Sequence, residues 1–368
     1  MALRHPFLLG VGLLLLPGTF RGWPARGPVS RAAPARQAQP VALGPEFSDG
    51  FSPTQAAAYA QVLKLRLDSA RVLLAPELRG PRPDPRAVLV LDCAEFADVV
   101  LRQDAARYPA ALTAMTARLE AMEQAVKRQP GPWPTYAAAE IQLHRAIAQV
   151  CFEDEISGAW ALRQAVLRLE AGARRYPTFL PIRKSLGLCQ FLVGVVPDSY
   201  QWFLRALGLR GSTTVGLANL SRAADGDNPF QLEARIFRAL IREGYYHQDA
   251  DVGALTAELA RREPDNLLFC YLRLAALKRQ KQPDAALRAF RARPTGRGYV
   301  PLTYLHHIAA DLLLYRGEYA AAAQQNEFFL RRYPGRHYRK DACFKLYLAA
   351  WLRHDAPTAA RWLAEIDR

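Results

Sequence analysis

The chain has little lysine, little cysteine and no long apolar run, and each shortage narrows what it can be. Of its 49 basic residues only seven are lysine. Arginine lies in almost every segment beside Glu and Asp, rather than in one stripe with aromatic residues for base stacking. The net charge of +15 therefore reads as solvated helix faces, and no nucleic-acid partner is expected. The excess does suit an anionic membrane surface or an acidic partner. The five cysteines, Cys93, Cys151, Cys189, Cys270 and Cys343, stand far apart in apolar stretches with no CxxC or Cys/His spacing. That argues against a zinc or redox motif and predicts small buried apolar side chains, with one disulfide left open if the chain is exported. Val/Ile/Thr alternation is scarce as well, which argues against a sheet protein and for helix throughout.

The N-terminal apolar run, Phe7 to Leu16, follows Arg4 and His5 and is stopped by Pro17. It is shorter than the roughly 20 residues that cross a bilayer. A basic start, a short apolar core and a breaker read as a secretory signal over residues 1–20, placing the chain in the periplasm or cell envelope. A short retained membrane anchor is the alternative. Residues 21–53, rich in Pro, Ala and Arg without apolar periodicity, read as a linker, and the folded part is expected over 54–368.

Proline supplies the punctuation. The tripeptide Arg-Tyr-Pro ends at Pro109, Pro177 and Pro334, each time between helix-like stretches. Pro109 and Pro177 are 68 residues apart, and Pro229, Pro264, Pro301 and Pro334 follow at 35, 37 and 33. Proline breaks a helix interior, so a breaker recurring near 34 residues with two helices per interval is the tetratricopeptide spacing. The fold class expected is all-α: an α-solenoid of antiparallel helix pairs, each burying its apolar stripe against its neighbours. Sixteen helices are read between residues 54 and 367, the first running unbroken over 54–74. The clearest unit spans Thr303 to Arg336, with Gly317 and Tyr319 at the inter-helix turn, Ala322 at the helix contact and Pro334 closing it. His306 and Asn326 depart from the pattern. The unit after Pro264 has a truncated second helix, and the last, from His337, has a shifted turn.

Residues 184–223 break the rhythm: Pro197 starts a short helix with Trp202 and Phe203, then Gly208, Gly211 and Gly216 allow tight turns and close helix contact. No GxxxxGK[ST] occurs there, so phosphate binding is not supported. The segment "AEIQLHRAIAQVCFEDEISGAW" together with "LRLEAGARRYPTFLPIRKSLGLCQFLVGVVPDSYQWFLRALGLRGSTTVGLANL" resembles the middle of a group of exported tetratricopeptide proteins of Bacteroidetes-type bacteria. The likeness extends over roughly 85–366, with "PRAVLVLDCAEFADVV" near its start and "YRKDACFKLYLAAW" near its end. The Leu207–Leu217 stretch is also similar to the tetratricopeptide-39 and inclusion-body-clearance family. The resemblance implies a helical repeat fold and export.

Chemistry-bearing constellations are sparse. Glu140/His144 and His307/Asp311 each place two donors on one helix face, too few for a metal without a third. Glu153, Asp154 and Glu155 form an acidic turn. Asp227 or Asn228 suits the N-terminal cap of the next helix. No Ser or Cys nucleophile pattern is present. No cofactor, metal, catalytic residue or small-molecule substrate is expected. What remains is a binding surface. Tetratricopeptide first-helix positions that line the concave groove fall here on Tyr304, His307, Asp311, Leu314 and Tyr315. In the preceding unit they include Tyr271, Lys278 and Arg279. The expectation is a non-catalytic protein- or peptide-binding scaffold; the alternatives are a membrane-tethered scaffold and, last, an enzyme or metal-binding protein.

Overall fold

The computed structural model describes residues 50–248 and 250–367; the signal and most of the linker read above lie outside them. Among the described residues there are seventeen helices and no strand. The fold is all-α, and its helices pack as neighbouring antiparallel pairs, the α-solenoid arrangement that the proline spacing predicts. The chain forms two compact units. Of the described residues, the first contains 50–62, 69–96 and 112–255; the second contains 63–68, 97–111 and 256–367.

The expected first helix is two. α1 (Pro53–Leu63) and α2 (Leu67–Leu74) are separated at Leu65, whose φ of 60° is left-handed and cannot continue a helix. α3 (Pro85–Arg102) and α4 (Tyr108–Arg128) follow. The first unit then stacks α5 (Pro132–Cys151) with α6 (Glu155–Arg175), and α7 (Leu180–Gly194) with α9 (Thr213–Asp225). A short extra helix, α8 (Asp198–Ala206), lies between α7 and α9 in sequence. α10 (Gln231–Gly244) packs on α9 and touches α7, so the first helices α5, α7 and α10 line up side by side.

After α11 (Ala250–Arg262), the second unit repeats the plan: α12 (Leu267–Arg279) with α13 (Pro283–Arg291), α14 (Tyr304–Tyr315) with α15 (Tyr319–Arg332), and α16 (Arg339–Trp351) with α17 (Ala356–Asp367). The first helices α12, α14 and α16 again touch in series, and α15 packs on α16.

One turn geometry joins four of these pairs. Glu153, Lys281, Gly317 and His354 have φ of 66°, 57°, 77° and 60°. In each case the next residue donates its N–H to a carbonyl five residues back: Asp154 to Gln149, Gln282 to Leu277, Glu318 to Leu313 and Asp355 to Ala350, at 2.9–3.0 Å. This is the Schellman closure, which satisfies carbonyls that a helix end leaves open. Only one of the four left-handed positions is glycine.

Arg-Tyr-Pro plays two parts. Tyr176 and Tyr333 cap the ends of α6 and α15, with arginines in the last turns facing the negative helix terminus. At 107–109 the tripeptide instead begins α4, with Pro109 in the first turn, where its missing N–H costs nothing.

Glycine lets α7 and α9 approach closely. A Cβ on Gly216 of α9 would lie 2.4 Å from the Phe191 amide nitrogen and 2.7 Å from the Gly187 carbonyl oxygen on α7. Backbone meets backbone there, and Leu188, Phe191, Leu220, Ala223 and Ala224 close the core around it. Gly216→Ala should therefore cost about 1–3 kcal/mol by overpacking. Exposed Lys281→Gly should add about 0.5–1 kcal/mol by relieving its left-handed backbone. Urea unfolding followed by far-UV circular dichroism measures both.

Candidate functional site

The inward faces of both rows of first helices carry buried charge. In the first unit, Lys184 of α7 is 3% exposed, in a place where an unpaired ammonium would be strongly disfavoured. Its Nζ lies 2.7 Å from Glu140 Oε1 on α5 and 2.9 Å from Glu233 Oε2 on α10. It also sits 4.6 Å above the Phe230 ring. The second carboxylate oxygen of Glu140 accepts from the Ser185 hydroxyl at 2.5 Å. Burial pushes Glu140 up, but the Lys184 ammonium, His144 and the hydrogen bonds outweigh it and hold the carboxyl below its ordinary value. For Lys184 burial acts downward and the two carboxylates prevail, so its pKa is raised.

The N-terminal helices lie against this cluster. Tyr59 of α1 donates its hydroxyl to Glu233, and its ring meets Phe230 edge-on at 5.3 Å. Phe51 packs on Tyr59, Trp133 and Phe230. From α3, Asp92 accepts from His144 Nδ1 at 2.8 Å and from Arg118 of α4 at 2.7 Å, while Phe96 stacks on the His144 ring at 4.2 Å. The Glu140/His144 pair weighed for a metal, 3.8 Å apart, is thus divided between a lysine and an aspartate. Among the described residues no cluster of His, Cys, Asp and Glu is arranged to hold a metal ion.

The second unit has the same device with the signs exchanged. Asp311 of α14 lies between Lys278 of α12, which it pairs closely, and Lys345 of α16 at 2.9 Å. Lys345 reaches Asp341 at 2.7 Å, and Asp341 accepts from His307 Nε2 at 2.9 Å. His307 Nδ1 meets Asn326 Oδ1 of α15 at 2.9 Å. Burial raises Asp341, yet the His307 hydrogen bond and Lys345 hold it below the usual carboxylate range. Asp311 is lowered too: its two lysines overcome burial. Of the lysines, Lys278 is shifted down, because burial exceeds the pull of Asp311, whereas Lys345 has two carboxylates and is shifted up.

The eight stripe residues read from the sequence fall into two groups. Tyr271, Tyr304, His307 and Asp311 are buried, and Lys278 and Leu314 are half-buried. Tyr315 and Arg279 are exposed, at the ends of α14 and α12. The turns at Lys281 and Gly317 are 36 residues apart, as the repeat register requires, but the side chains that meet are 33 apart, as with Lys278 and Asp311. Neighbouring first helices are slid by about one turn, so the stripe is diagonal. Tyr304 correspondingly lies 4.7 Å from Tyr338, 34 residues on. The two departures from the repeat pattern also have partners: His306 bonds to Gln325 at 2.7 Å and packs on Phe328 at 4.1 Å, and Asn326 bonds to His307.

No known protein-family model matches the chain, and no curated protein matches it in sequence. The geometry alone therefore says what these residues do.

Sequence reasoning missed Lys184, Glu233, Asp341 and Lys345. A signal was present: three of the seven lysines, Lys184, Lys278 and Lys345, are the ladder cations in a chain that otherwise uses arginine. An ammonium is a compact point charge that fits between two carboxylates where a planar guanidinium does not. All five cysteines are free thiols, and burial works against thiolate reactivity: it pushes buried Cys189 up to about 12 and half-buried Cys270 to about 11. Asp154 caps α6 through the Ser157 amide, and Asn228 closes an Asx turn onto the Phe230 amide before α10.

Removing Lys184 strands buried Glu140 beside the partly exposed Glu233, so Lys184→Met should cost about 3–5 kcal/mol, with part regained on adding Glu140→Gln. Lys184→Arg should also cost about 1–3 kcal/mol, because the larger group must force the helices apart. Denaturant midpoints of the three variants test this. Asp311 and Asp341 have folded pKa values below the unfolded one of about 3.9. Their contribution is thus full above that pH and is lost progressively as pH falls from it through the lower folded values. Stability measured by urea titration should fall from pH 5 to 3. Asp341→Asn should flatten the slope by about 1 kcal/mol or less, since Asp341 is 47% exposed and screened.

Proposed function

We propose that the chain is a non-catalytic scaffold that binds a protein or peptide along the first-helix stripe of α12, α14 and α16. The observation that carries this reading is the ladder itself, which fixes three helices at set spacing and then reaches the surface at half-exposed Asp341. Arg279 follows Lys278 directly, and Tyr315 lies one turn beyond Asp311, both exposed. Buried Tyr271, Tyr304, His307 and Asp311 hold the wall, with Lys278 and Leu314 at its edge; Arg279, Tyr315 and Asp341 offer a guanidinium, an aromatic face and a carboxylate to a partner. Such groups on a pre-ordered wall bind with little ordering cost, and Tyr and Arg are the residue types that most often dominate interfaces.

A photoreactive amino acid at position 315, introduced in the cells that make the protein, should crosslink a partner. That partner, purified, should bind the unmodified chain, and Tyr315→Ala with Arg279→Ala should weaken it by about tenfold or more at unchanged helicity. Equal affinity for the double variant would move the interface elsewhere.

A further inference from the structure

We propose that the elbow formed by α8 and the start of α9 is a membrane-contact surface that docks on an anionic lipid bilayer. The inference goes beyond the scaffold reading and does not depend on it.

α8 is an insertion: in the α5/α6, α12/α13, α14/α15 and α16/α17 pairs a short turn joins the two helices, whereas here nine residues of helix intervene between α7 and α9. Its inner side is anchored by Leu204, Leu207 and Leu209, which are 1%, 9% and 2% exposed. On the outer side Trp202 and Phe203 project, 67% and 39% exposed, with their rings edge-to-face at 6.0 Å.

Charge around the tip is mainly positive. Asp198 opens α8, and from there to Asp225 at the far end of α9 the sequence contains no Asp or Glu; Arg205 and Arg210, both exposed, lie at the elbow itself. Among the described residues neither arginine forms an ion pair; the Arg205 Nε donates to the Gln201 carbonyl at 3.3 Å. Arg163 of α6 donates to the Leu207 carbonyl at 2.7 Å and lies over Trp160, 53% exposed, which adds a third aromatic beside the elbow. Along α6, Glu155 of the acidic turn stands about 8 Å from Trp160 and about 12 Å from Arg163.

This pairing has a specific physical use. Aromatic side chains favour the headgroup region of a bilayer, where an apolar ring and a polar edge are both accommodated. Arginines at the rim gain from the negative potential of anionic lipid, about fivefold in affinity for each one near the surface. A short helix with apolar residues to one side and unpaired arginines beside them lies in the interface plane without crossing it. Among the described residues no helix is long and apolar enough to cross a membrane.

The test uses the full chain and hydrogen exchange read by mass spectrometry, with vesicles of phosphatidylcholine alone or with about 30 mol% phosphatidylserine. Expected is slowed exchange at residues 201–210 with the anionic vesicles only. Trp202→Ser with Phe203→Ser should remove that protection and weaken partition attributable to this segment by about tenfold or more. Arg205→Gln with Arg210→Gln should weaken it by roughly twentyfold. All four side chains are exposed, and a thermal melt checks that each variant folds. Protection confined to residues outside 199–224, equal protection by neutral vesicles, or protection by polyglutamate but not by vesicles would each overturn the proposal.

Discussion

A lysine held between two carboxylates, or a carboxylate between two lysines, is the constraint around which each unit is arranged. The cost of taking such groups out of water is several kcal/mol per ion, and it is offset only when every partner stands at hydrogen-bonding distance. Glu140, Lys184 and Glu233 come from three different helices, as do Lys278, Asp311 and Lys345. The pairing is satisfied in one relative placement of those helices. Apolar packing alone would accept several nearby placements, because leucine and alanine surfaces slide at small cost. Buried ions thus select the spacing, while the apolar core supplies the drive to associate.

The tighter contacts follow from the same economy of space. Where α7 and α9 approach backbone to backbone, Gly187 and Gly216 leave no room for a side chain. Where the approach is wider, aromatic residues fill it: Phe51, Tyr59, Trp133, Tyr136, Phe179 and Phe230 form one aromatic cluster beside Lys184, edge-to-face in most of its contacts. The cation sits against ring faces as well as carboxylates, so its surroundings compensate its charge on every side.

Much of the architecture was legible before any coordinates. Proline spacing gave the pairing of helices, because a backbone rule leaves a mark in the sequence wherever a helix must stop. Gly317 at the turn was legible, and so was the pair α14/α15, although α14 begins four residues later than its apolar pattern suggests. The break at Leu65 was not legible, since leucine gives no warning of a left-handed backbone. Nor were the turns at Glu153, Lys281 and His354, where the Schellman hydrogen bond fixes the conformation whatever the side chain. The stripe was legible as a set of positions, but its contacts were not: helices slid by a turn bring Lys278 to Asp311, and no repeat register encodes that offset. Lysine scarcity was a clue of another kind, carried by composition, and it becomes meaningful once the buried positions are known.

Arrays of helical pairs ordinarily come apart piecemeal, since each pair answers only to the one beside it. Asp311 changes that for the C-terminal three. Peeling away α16 and α17 under load would strand a carboxylate beside one lysine and expose Asp341 and His307 to re-hydration out of step with their neighbours. Fraying therefore meets a threshold at its first step, the withdrawal of Lys345, while Lys278 still holds Asp311 in the pairs that remain. Detaching the terminal pair thus costs more than parting two apolar faces.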